Sequence, residues 1–507
     1  MYLTQALHRA AQLFPDRAMT VCGERVRTAS EVVERVARLA GGLRSLGVCP
    51  GDRVGMLAGN SDRYHEFFFA SWWVGAVAHP VNVRWSLEEV VYAVNDSGTE
   101  VLFVDDGFAA IGPGLRERCP GLRVVVHCGD GPVPAGMVGH EDLVAGAEPV
   151  PDVRVGGEEV GLLLYTGGTT GVPKGVTATH RDLLTSMYGS MLTSRSTRRG
   201  GVTLVTAPLF HVAALCSWNN QCVMGGTLVF LPKFSAEGFL DAVQRHRVTT
   251  TILVPVMVQS LTEHPGLNEY DVSSLEAITY GGAGSAESLL RLAMECFPRA
   301  RFTQGYGMTE TGVLTMLTHQ DHIEGGPRLR SVGRATPTVE LAVMDPRGNP
   351  LPPETIGEVV TRNRIMTGYW NKPEQTAETL RNGWLHTGDA GYLDQNGYLY
   401  IVDRLKDMII TGGENVYSAE VENALASHPA VATCAVIGLP DPQWGERVHA
   451  VIVLRPGHTT TVDELRTHAK QHIATYKTPR TIEFAHALPH TAAGKIHKQQ
   501  LRQDRRG

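Results

Sequence analysis

Several features that would place this chain in a special class of protein are absent from its sequence. Its eight cysteines show no CxxC spacing, which argues against a structural zinc site and against the disulfide framework of a small secreted protein. The N-terminus has no apolar segment followed by a small-residue cleavage site, so no secretory signal peptide is expected. The most apolar window, residues 67–78, spans 12 positions and is too short to cross a bilayer. These absences predict a protein of the reducing cytoplasm.

A strong excess of one charge is also lacking. The 46 Lys and Arg residues are offset by 52 Asp and Glu residues, and a formal net charge of −6 argues against a non-specific nucleic-acid binder. The C-terminal stretch HKQQLRQDRRG is basic; we interpret it as a solvated tail and leave peripheral membrane contact open, together with a homodimeric state. A hydrophobic content of 43% in 507 residues predicts a globular protein of roughly two to four domain-sized units.

The sequence does contain alternating helical and strand patterns, which predict an α/β fold. SEVVERVARLAGGLRSLGV has helical spacing, and DRVGMLAG, VLFVDD and TTTILVP are typical of buried strands in parallel, helix-covered sheets. In 331–402 the turns DPRGN and DQNG join strands as hairpins, which predicts an antiparallel β module. We expect a large N-terminal domain (1–402) with two mostly parallel sheets and this module, a hinge (403–407) and a small mobile α/β domain (408–507), whose first helix Ser418 would cap.

The stretch LLLYTGGTTGVPKGV (162–176) combines four glycines, four threonine or lysine side chains and a preceding apolar run. A Walker A loop needs its lysine to precede Ser or Thr at the start of a helix, whereas here the lysine precedes GVTAT, which is typical of a strand. A P-loop NTPase is therefore not expected. Bare glycine amides, threonine hydroxyls and Lys174 between two strands still predict a phosphate-binding loop.

This loop resembles the phosphate-loop signature of the adenylate-forming superfamily, which includes acyl-CoA synthetases, nonribosomal-peptide adenylation domains and luciferases. Further motifs of that family follow in its order: APLFH (207–211), GGA (281–283), QGYGMTE (304–310), HTGD (386–389), DRLKDMIITGGENV (403–416) and TAAGKI (491–496). Seven motifs in order make the resemblance specific over nearly the whole chain. One position departs from it, because Gly167 stands where serine is common and the loop thereby loses a hydroxyl.

The resemblance implies an ATP-dependent carboxylic acid–CoA ligase that first forms an acyl-adenylate, releasing pyrophosphate, and then a thioester, releasing AMP. Thr309 would bond the α-phosphate, Glu310 would ligate Mg²⁺, Asp389 would accept the ribose hydroxyls and Arg404 would add a second contact. Tyr306 would stack on adenine. The other nucleotide-binding residues that it implies are, for the phosphates, Thr166, Gly167, Gly168, Thr169, Thr170, Gly171 and Lys174, and, around the base, Gly281, Gly282, Ala283, Gln304, Gly305, Gly307 and Met308.

The same resemblance assigns the residues of the second half-reaction. Lys495 would bridge the substrate carboxylate and the α-phosphate during adenylation, acting with Lys174, Thr309, Glu310 and the gate residue His211. Rotation about Lys406 would then replace Lys495 by a glycine segment that admits coenzyme A. The positions implied for coenzyme A are Gly412, Gly413, Trp444 and Arg84, and those implied for the acyl pocket are His211, Val212, Gly282, Gly307 and Val313.

The identity of the acid stays open at this point. An α-amino acid is disfavoured because His211, and not an aspartate, follows Phe210. The uncharged pocket stretches place a medium- or long-chain fatty acid first and an aryl acid of benzoate or cinnamate type second. Two further alternatives are an acyl-AMP ligase that loads a carrier protein and a degenerate nucleotide-binding regulator, although Thr309, Glu310, Asp389, Arg404 and Lys495 are all present.

Overall fold

The computed structural model describes residues 1–166, 173–362, 365–490 and 496–505. Its helices, in chain order, are α1 (Gln5–Leu13), α2 (Ala29–Ser45), α3 (Asp62–Trp73), α4 (Leu87–Ser97), α5 (Gly112–Arg118), α6 (His140–Gly146), α7 (His180–Ser194), α8 (Val212–Val223), α9 (Ala236–His246), α10 (Pro255–Thr262), α11 (Glu287–Cys296), α12 (His319–Glu324), α13 (Pro373–Thr379), α14 (Ser418–Ala426), α15 (Val462–His472) and α16 (Lys498–Gln503). Among the residues just given, every helix is too short or too polar to cross a membrane.

The strands are also numbered in chain order. They are β1 (Ala18–Cys22), β2 (Arg25–Thr28), β3 (Arg53–Leu57), β4 (Val77–Pro80), β5 (Thr99–Val104), β6 (Val124–His127), β7 (Val138–Gly139), β8 (Val160–Thr166), β9 (Lys174–Thr179), β10 (Val202–Val205), β11 (Thr227–Phe230), β12 (Thr250–Leu253), β13 (Ala277–Gly281), β14 (Arg301–Met308), β15 (Gly312–Leu317), β16 (Arg334–Ala335), β17 (Leu341–Met344), β18 (Gly357–Thr361), β19 (Met366–Tyr369), β20 (Leu380–Arg381), β21 (Trp384–Leu393), β22 (Leu399–Arg404), β23 (Ile409–Thr411), β24 (Glu414–Val416), β25 (Val431–Asp441), β26 (Gly445–Leu454) and β27 (Thr481–Phe484).

The chain forms two compact units. Unit 1 comprises the described residues before 342 and those of 361–385, and unit 2 comprises 342–360 and the described residues from 386 onward. Unit 1 contains a nine-stranded sheet, β16-β15-β14-β13-β12-β10-β11-β1-β2, and an eight-stranded sheet, β19-β9-β8-β4-β3-β5-β6-β7. Both sheets are parallel at their centres and gain antiparallel strands at their edges. The predicted pair of mostly parallel sheets is thus confirmed.

Local sequence explains where the elements of unit 1 begin. The α2 helix starts after Thr28, whose hydroxyl accepts from the Glu31 amide while the Glu31 carboxylate accepts from the Thr28 amide, a capping box. Ser86 and Glu89 start α4 in the same way. The apolar window 67–78 forms the second half of α3 and then β4.

The core of unit 1 surrounds α3, in which all 12 residues are buried. The ring of Phe68 lies 5.4 Å from that of Trp72 and 5.1 Å from that of Trp218, distances at which aromatic pairs attract each other. Charged residues of this helix are buried as ion pairs: Arg25 bonds Asp62 at 2.9 Å and Arg35 bonds Glu66 at 2.6 Å. Such pairing offsets the cost of removing charges from water.

Unit 2 contains the antiparallel β module that the turn sequences predict. In the β21–β22 hairpin the Asp394 carboxylate accepts from the amides of Asn396 and Tyr398 at 2.8 and 2.9 Å, which fixes the DQNG turn. The C-terminal part forms a five-stranded sheet, β24-β23-β26-β25, with β27 parallel to β26. Helices α14, α15 and α16 accompany this sheet, as expected of a small α/β domain.

One predicted cap is wrong. Ser418 is the first residue of α14 and is fully buried, and Tyr417 holds the cap position without a capping side-chain bond. The Ser418 hydroxyl donates to the Asp403 carboxylate at 2.7 Å, and the same carboxylate accepts from the Ala419 amide at 3.3 Å. A carboxylate from another segment therefore satisfies the helix terminus, which a negative charge suits better than a neutral hydroxyl does.

The cysteines are all free, in keeping with the absence of paired spacing. Six are buried, Cys296 is half-buried and Cys49 is exposed. Burial raises the pKa of the Cys216 and Cys434 thiols to about 12, so these thiols stay protonated at neutral pH.

Candidate active site

The base of the phosphate loop is built by two antiparallel strands of unit 1. Thr166 ends β8 and lies opposite Lys174, the first residue of β9. The Lys174 ammonium lies 5.1 Å from the centre of the Tyr369 ring, a cation–π distance. Gly167, Gly168, Thr169, Thr170 and Gly171 lie outside the described residues. Lys174 begins a strand, which agrees with the rejection of a Walker loop, since that loop would lead into a helix.

Glu310 lies beside this strand pair. The residue is 6% exposed; its carboxylate accepts a hydrogen bond from the Tyr369 hydroxyl at 2.7 Å, and its carbonyl accepts from the Met366 amide at 3.0 Å. Among the described residues, no Lys or Arg forms an ion pair with Glu310. A buried carboxylate with one neutral donor and no cationic partner has the chemistry of a ligand for a hard cation such as Mg²⁺.

Glycine allows two close backbone approaches around the QGYGMTE motif. A Cβ on Gly281 would lie 2.3 Å from the carbonyl oxygen of Gly305, its register partner across β13 and β14. A Cβ on Gly307 would lie 1.8 Å from the carbonyl oxygen of Gly312. Neither position accepts any side chain, so both strands present bare backbone where they meet.

The turn between β14 and β15 carries the threonine that the resemblance assigns to the α-phosphate. The Met308 amide donates to the Thr311 hydroxyl at 3.0 Å, which fixes the turn around Thr309. A register shift between Tyr306 and Gly307 interrupts the ladder just before it. Tyr306, Met308 and Thr309 are half-buried, Gln304 is buried, and Gly282 and Ala283 at the end of β13 are exposed.

The gate residue His211 stands at the N-terminus of α8, followed by Val212. Its ring lies 4.6 Å from that of Phe210, and its amide donates to the Pro208 carbonyl at 3.0 Å. Among the described residues, the heavy atom nearest to a Cβ on Gly305 would belong to Val313, at 4.0 Å, and the one nearest to a Cβ on Gly282 would belong to Val254, at 3.8 Å. A valine side chain therefore lies near each of these two glycines.

The ribose candidates belong to unit 2. Asp389 in β21 lies opposite Arg404 in β22, and the Arg404 guanidinium bonds the Asp389 carboxylate at 2.6 Å. The Asp389 amide donates to the Thr387 hydroxyl at 3.1 Å, and that hydroxyl donates to the Val359 carbonyl at 2.7 Å. The Asp389 side chain is 6% exposed and that of Arg404 39% exposed, so one carboxylate is held firmly by a more accessible cation.

The coenzyme A candidates lie in unit 2 except for Arg84, an exposed residue of unit 1 whose amide donates to the Asn82 side chain at 2.9 Å. Gly412 and Gly413 form the β23–β24 turn with φ of +61° and +83°. The Gly412 amide donates to the Trp444 carbonyl at 2.8 Å, and the Arg480 guanidinium lies 4.3 Å from the Trp444 ring.

The last two predicted residues are the hinge residue Lys406 and the catalytic lysine Lys495. Lys406 is an exposed residue of the short 3₁₀ turn Leu405–Asp407. Lys495 lies outside the described residues.

Sequence reasoning missed two residues that contact the candidates. Tyr369, which bonds Glu310, is located by the antiparallel pairing of β19 with β9, and Arg480 is located by the fold of the C-terminal sheet. Neither belongs to a glycine-rich or charged motif. The aromatic pair Tyr369 and Trp370 in an otherwise polar stretch was the one available signal.

Comparison with known proteins gives matches over nearly the whole chain. The family model described as AMP-binding enzyme matches residues 7–370, and the one described as AMP-binding enzyme C-terminal domain matches residues 420–495. A feruloyl-CoA synthase of an Amycolatopsis species is 39% identical over 500 residues, 97% of each chain. A fatty acid–[acyl-carrier-protein] ligase of Streptomyces coeruleorubidus is 36% identical, covering 99% of this chain and 96% of that protein.

Solved structures are similar over the same extent. An amide bond synthetase from Marinactinospora thermotolerans superimposes with a TM-score of 0.88 at 30% identity, covering 99% of this chain and 100% of that one. A fatty acyl-CoA synthetase of Mycobacterium tuberculosis gives a TM-score of 0.80 at 32% identity, covering 100% of this chain and 98% of that one.

Proposed function

Since the chain belongs to the AMP-binding enzyme family, among its adenylate-forming acyl-CoA ligases, we propose that it joins an apolar carboxylic acid to coenzyme A at the expense of ATP. The observation that carries this proposal is the pair of carboxylates that the structure prepares differently. Glu310 is buried without a cationic partner among the described residues, and Asp389 is held by Arg404. One suits a metal ion that accompanies phosphates, and the other suits a neutral diol.

In the first step a carboxylate oxygen of the acid attacks the α-phosphorus of ATP, and the bond to pyrophosphate breaks. Both reactants are anionic, so their approach needs positive charge and aimed donors. Lys174, Thr166 and the loop 167–171 would hold the β- and γ-phosphates, Thr309 the α-phosphate, and Lys495 both reacting groups. Tyr306 and the backbone of Gly281, Gly282 and Ala283 would bind adenine, with Gln304, Gly305, Gly307 and Met308 forming the adjoining strand.

Magnesium fits Glu310, because one carboxylate oxygen is already fixed by Tyr369 and the group has lost most of its contact with water. The ion would supply charge neutralisation for the phosphates when bound. Tyr369 would orient the carboxylate and keep it from turning away from its ligand.

In the second step the thiolate of coenzyme A attacks the acyl carbon, and AMP leaves. We propose that the chain after Lys406 rotates between the steps, so that Gly412 and Gly413 replace Lys495 at the acyl-adenylate. His211 would separate the acid from the thiol path. Trp444 and Arg84 would contact the adenine and phosphates of coenzyme A, and the Arg480 guanidinium packs on the Trp444 ring.

We propose as the first candidate a flat aromatic acid of cinnamate type, ahead of the fatty acid that the sequence alone placed first. The backbone of Gly305 and Gly282, with Val313 and Val254 as described neighbours, would offer apolar contacts to a ring, together with the predicted pocket residues His211, Val212 and Gly307. The similarity to a feruloyl-CoA synthase supports this order. Relatives that act on fatty acids, at 35–36% identity, support the second candidate.

A substrate screen tests the proposal. Purified protein with ATP and Mg²⁺ is given ferulic, benzoic, octanoic, palmitic or amino acids, with coenzyme A, with a phosphopantetheinylated carrier protein, or with neither. We expect pyrophosphate with ferulic acid and thioester formation with coenzyme A. Thioester on the carrier protein alone would identify an acyl-AMP ligase, and nucleotide binding without pyrophosphate from any acid would identify a regulator.

A further inference from the structure

A short helix links the segment that contains Lys495 to the hinge. Residues 491–495 lie between His490 and Ile496, which form an antiparallel bridge, and the His497 amide donates to the Pro489 carbonyl at 2.7 Å. α16 begins at the next residue, Lys498, so any fixed contact of Lys498 also fixes the C-terminal end of that segment.

Lys498 is the centre of a largely buried network of polar side chains within unit 2. Its ammonium donates to the Ser418 hydroxyl at 2.6 Å and lies 2.7 Å from the Glu422 carboxylate. The Ser418 hydroxyl donates onward to Asp403 at 2.7 Å. Ser418 is fully buried, Asp403 is 8% exposed and the Lys498 side chain is 15% exposed.

The side chains of this network also hydrogen-bond to backbone amides, which fixes their positions. Glu422 also accepts from the Val436 amide at 2.7 Å, and the second oxygen of Asp403 accepts from the Arg404 amide at 2.7 Å. Removing one member leaves a buried charge without its partner, which is costly in a low dielectric. Asp403 is the first residue of the hinge, so this network joins the hinge to the start of α16.

We propose that Lys498 is a positioning residue, which through Ser418 and Asp403 holds the hinge in one of the two settings that the two half-reactions use. This inference rests on the proposed function. Asp403 precedes Lys406, whereas Ser418 and Lys498 follow it, so a rotation at Lys406 separates the Ser418 hydroxyl from Asp403. The contact therefore belongs to one setting of the hinge only.

A second contact of α16, in contrast, does not cross Lys406. The Arg502 guanidinium donates to the Asp407 carboxylate at 2.9 Å, and both residues follow Lys406. That pair moves as one body in a rotation at Lys406. It anchors α16 in both settings and does not select between them.

The decisive variant is Lys498→Met, which keeps the length of the side chain and removes its charge and donors. Ser418→Ala is the second variant: it breaks the link to Asp403 and preserves the Lys498–Glu422 pair, so the fold is retained. The matched control is Lys477→Met, because Lys477 bonds Glu420 on the same helix at 2.7 Å with a similar exposure of 19% and contacts neither the hinge nor α16.

Each variant is assayed for carboxylate-dependent pyrophosphate exchange and, separately, for thioester formation from supplied acyl-adenylate. We expect Lys498→Met and Ser418→Ala to lower the kcat of one half-reaction about tenfold, because they weaken the hinge setting that this half-reaction uses, and to leave the other half-reaction within about twofold. Lys477→Met should change neither rate. Equal losses in both half-reactions, or no loss in either, would each overturn the proposal.

Hydrogen exchange separates failure of this proposal from failure of the proposed function. In Lys498→Met, amide exchange of residues 403–408 should rise about tenfold, with no rise in Lys477→Met. If the wild-type protein activates no acid, the proposed function fails. The coupling between Lys498 and the hinge is still tested in that case, because amide hydrogen exchange does not depend on activity. Unchanged protection of 403–408 would overturn the coupling whatever the activity.

Discussion

The two carboxylates that the family resemblance assigns to ATP binding, Glu310 in unit 1 and Asp389 in unit 2, are both buried but have opposite kinds of partner. Glu310 is 6% exposed and Asp389 is 4% exposed. Glu310 has a phenol and no cationic partner among the described residues, whereas Asp389 has a guanidinium at 2.6 Å. The negative charge of Glu310 is thus available to a cation, and that of Asp389 is already compensated.

This difference shows how one residue type serves two purposes. Burial without a counter-ion is costly, so it persists where a ligand brings the missing positive charge. An ion-paired carboxylate keeps lone pairs for hydroxyl donors and binds them without attracting a metal strongly. Under the proposed function, the comparison assigns phosphate chemistry to Glu310 and sugar recognition to Asp389.

The largest expected effect comes from Glu310→Gln. The amide keeps the shape of the side chain and removes the charge that would hold the metal, so pyrophosphate exchange should fall about 10²–10³-fold, the scale of several kcal/mol of lost charge stabilisation. Exchange is measured across a Mg²⁺ titration, and the half-saturating Mg²⁺ concentration should rise.

Two variants set the scale of that loss. Tyr369→Phe keeps the Glu310 charge and removes one hydrogen bond, so a loss of about fivefold, near 1 kcal/mol, is expected. Glu340→Gln makes the same chemical change at a half-exposed residue paired with Arg362 at 3.0 Å and should leave exchange unchanged. Full activity of the Glu310→Gln variant would show that Glu310 does not bind the metal.

A smaller effect is expected for Asp389→Asn. If Asp389 accepts the ribose hydroxyls, the preference for ATP over 2′-deoxy-ATP in kcat/KM should shrink about tenfold, since a hydrogen bond to a charged group contributes about 1.5–3 kcal/mol. The same ratio measured for Glu310→Gln should stay near that of wild type. A preference lost equally in both variants would abolish the distinction between the two carboxylates.

The smallest effect extends the comparison to acids that serve stability. Arg25 and its neighbouring arginines hold the pKa of Asp62 in unit 1 below its usual range although burial acts to raise it, and burial raises the pKa of Glu422 in unit 2 more than Lys498 lowers it. Asp62 therefore contributes stability above its unfolded pKa of about 3.9 and loses it on acidification. Glu422 contributes below its unfolded pKa of about 4.3 and loses that contribution as pH rises through its folded pKa.

Melting curves of two proteins check whether the contribution of Glu422 to stability falls or rises with pH. Between pH 5 and pH 7.5 the Tm of wild type should fall relative to that of Glu422→Gln, which cannot titrate, by about 1–3 °C. A relative rise would show that Lys498 lowers the pKa of Glu422 and that the sign is reversed.

The sequence predicted those parts of the molecule that local pattern encodes. Helical spacing located α2, short apolar runs located central strands of the two large sheets, and the turn DQNG located the β21–β22 hairpin. The glycine loop was assigned to two strands because its lysine precedes a strand and not a helix. These features depend on neighbours along the chain, which a single sequence displays.

Contacts between distant segments were beyond such patterns. Tyr369 reaches Glu310 because β19 pairs with β9, about 190 positions away in the chain, and no property of MTGYW announces that pairing. Ser418 failed as a cap for the same reason, since its hydroxyl serves Asp403. The assigned roles of Glu310, Asp389 and Lys495 came from family resemblance, and they stay predictions until the variants are measured.

The distribution of thiols has a practical consequence for watching this molecule work. At neutral pH a maleimide dye reacts with thiolate, so exposed Cys49 should be labelled far faster than the six buried cysteines and ahead of half-buried Cys296. One fluorophore can thus be attached to unit 1 without engineering the chain. A second cysteine added to the surface of unit 2 would complete a pair of dyes whose energy transfer reports, molecule by molecule, on any swing about Lys406 during turnover.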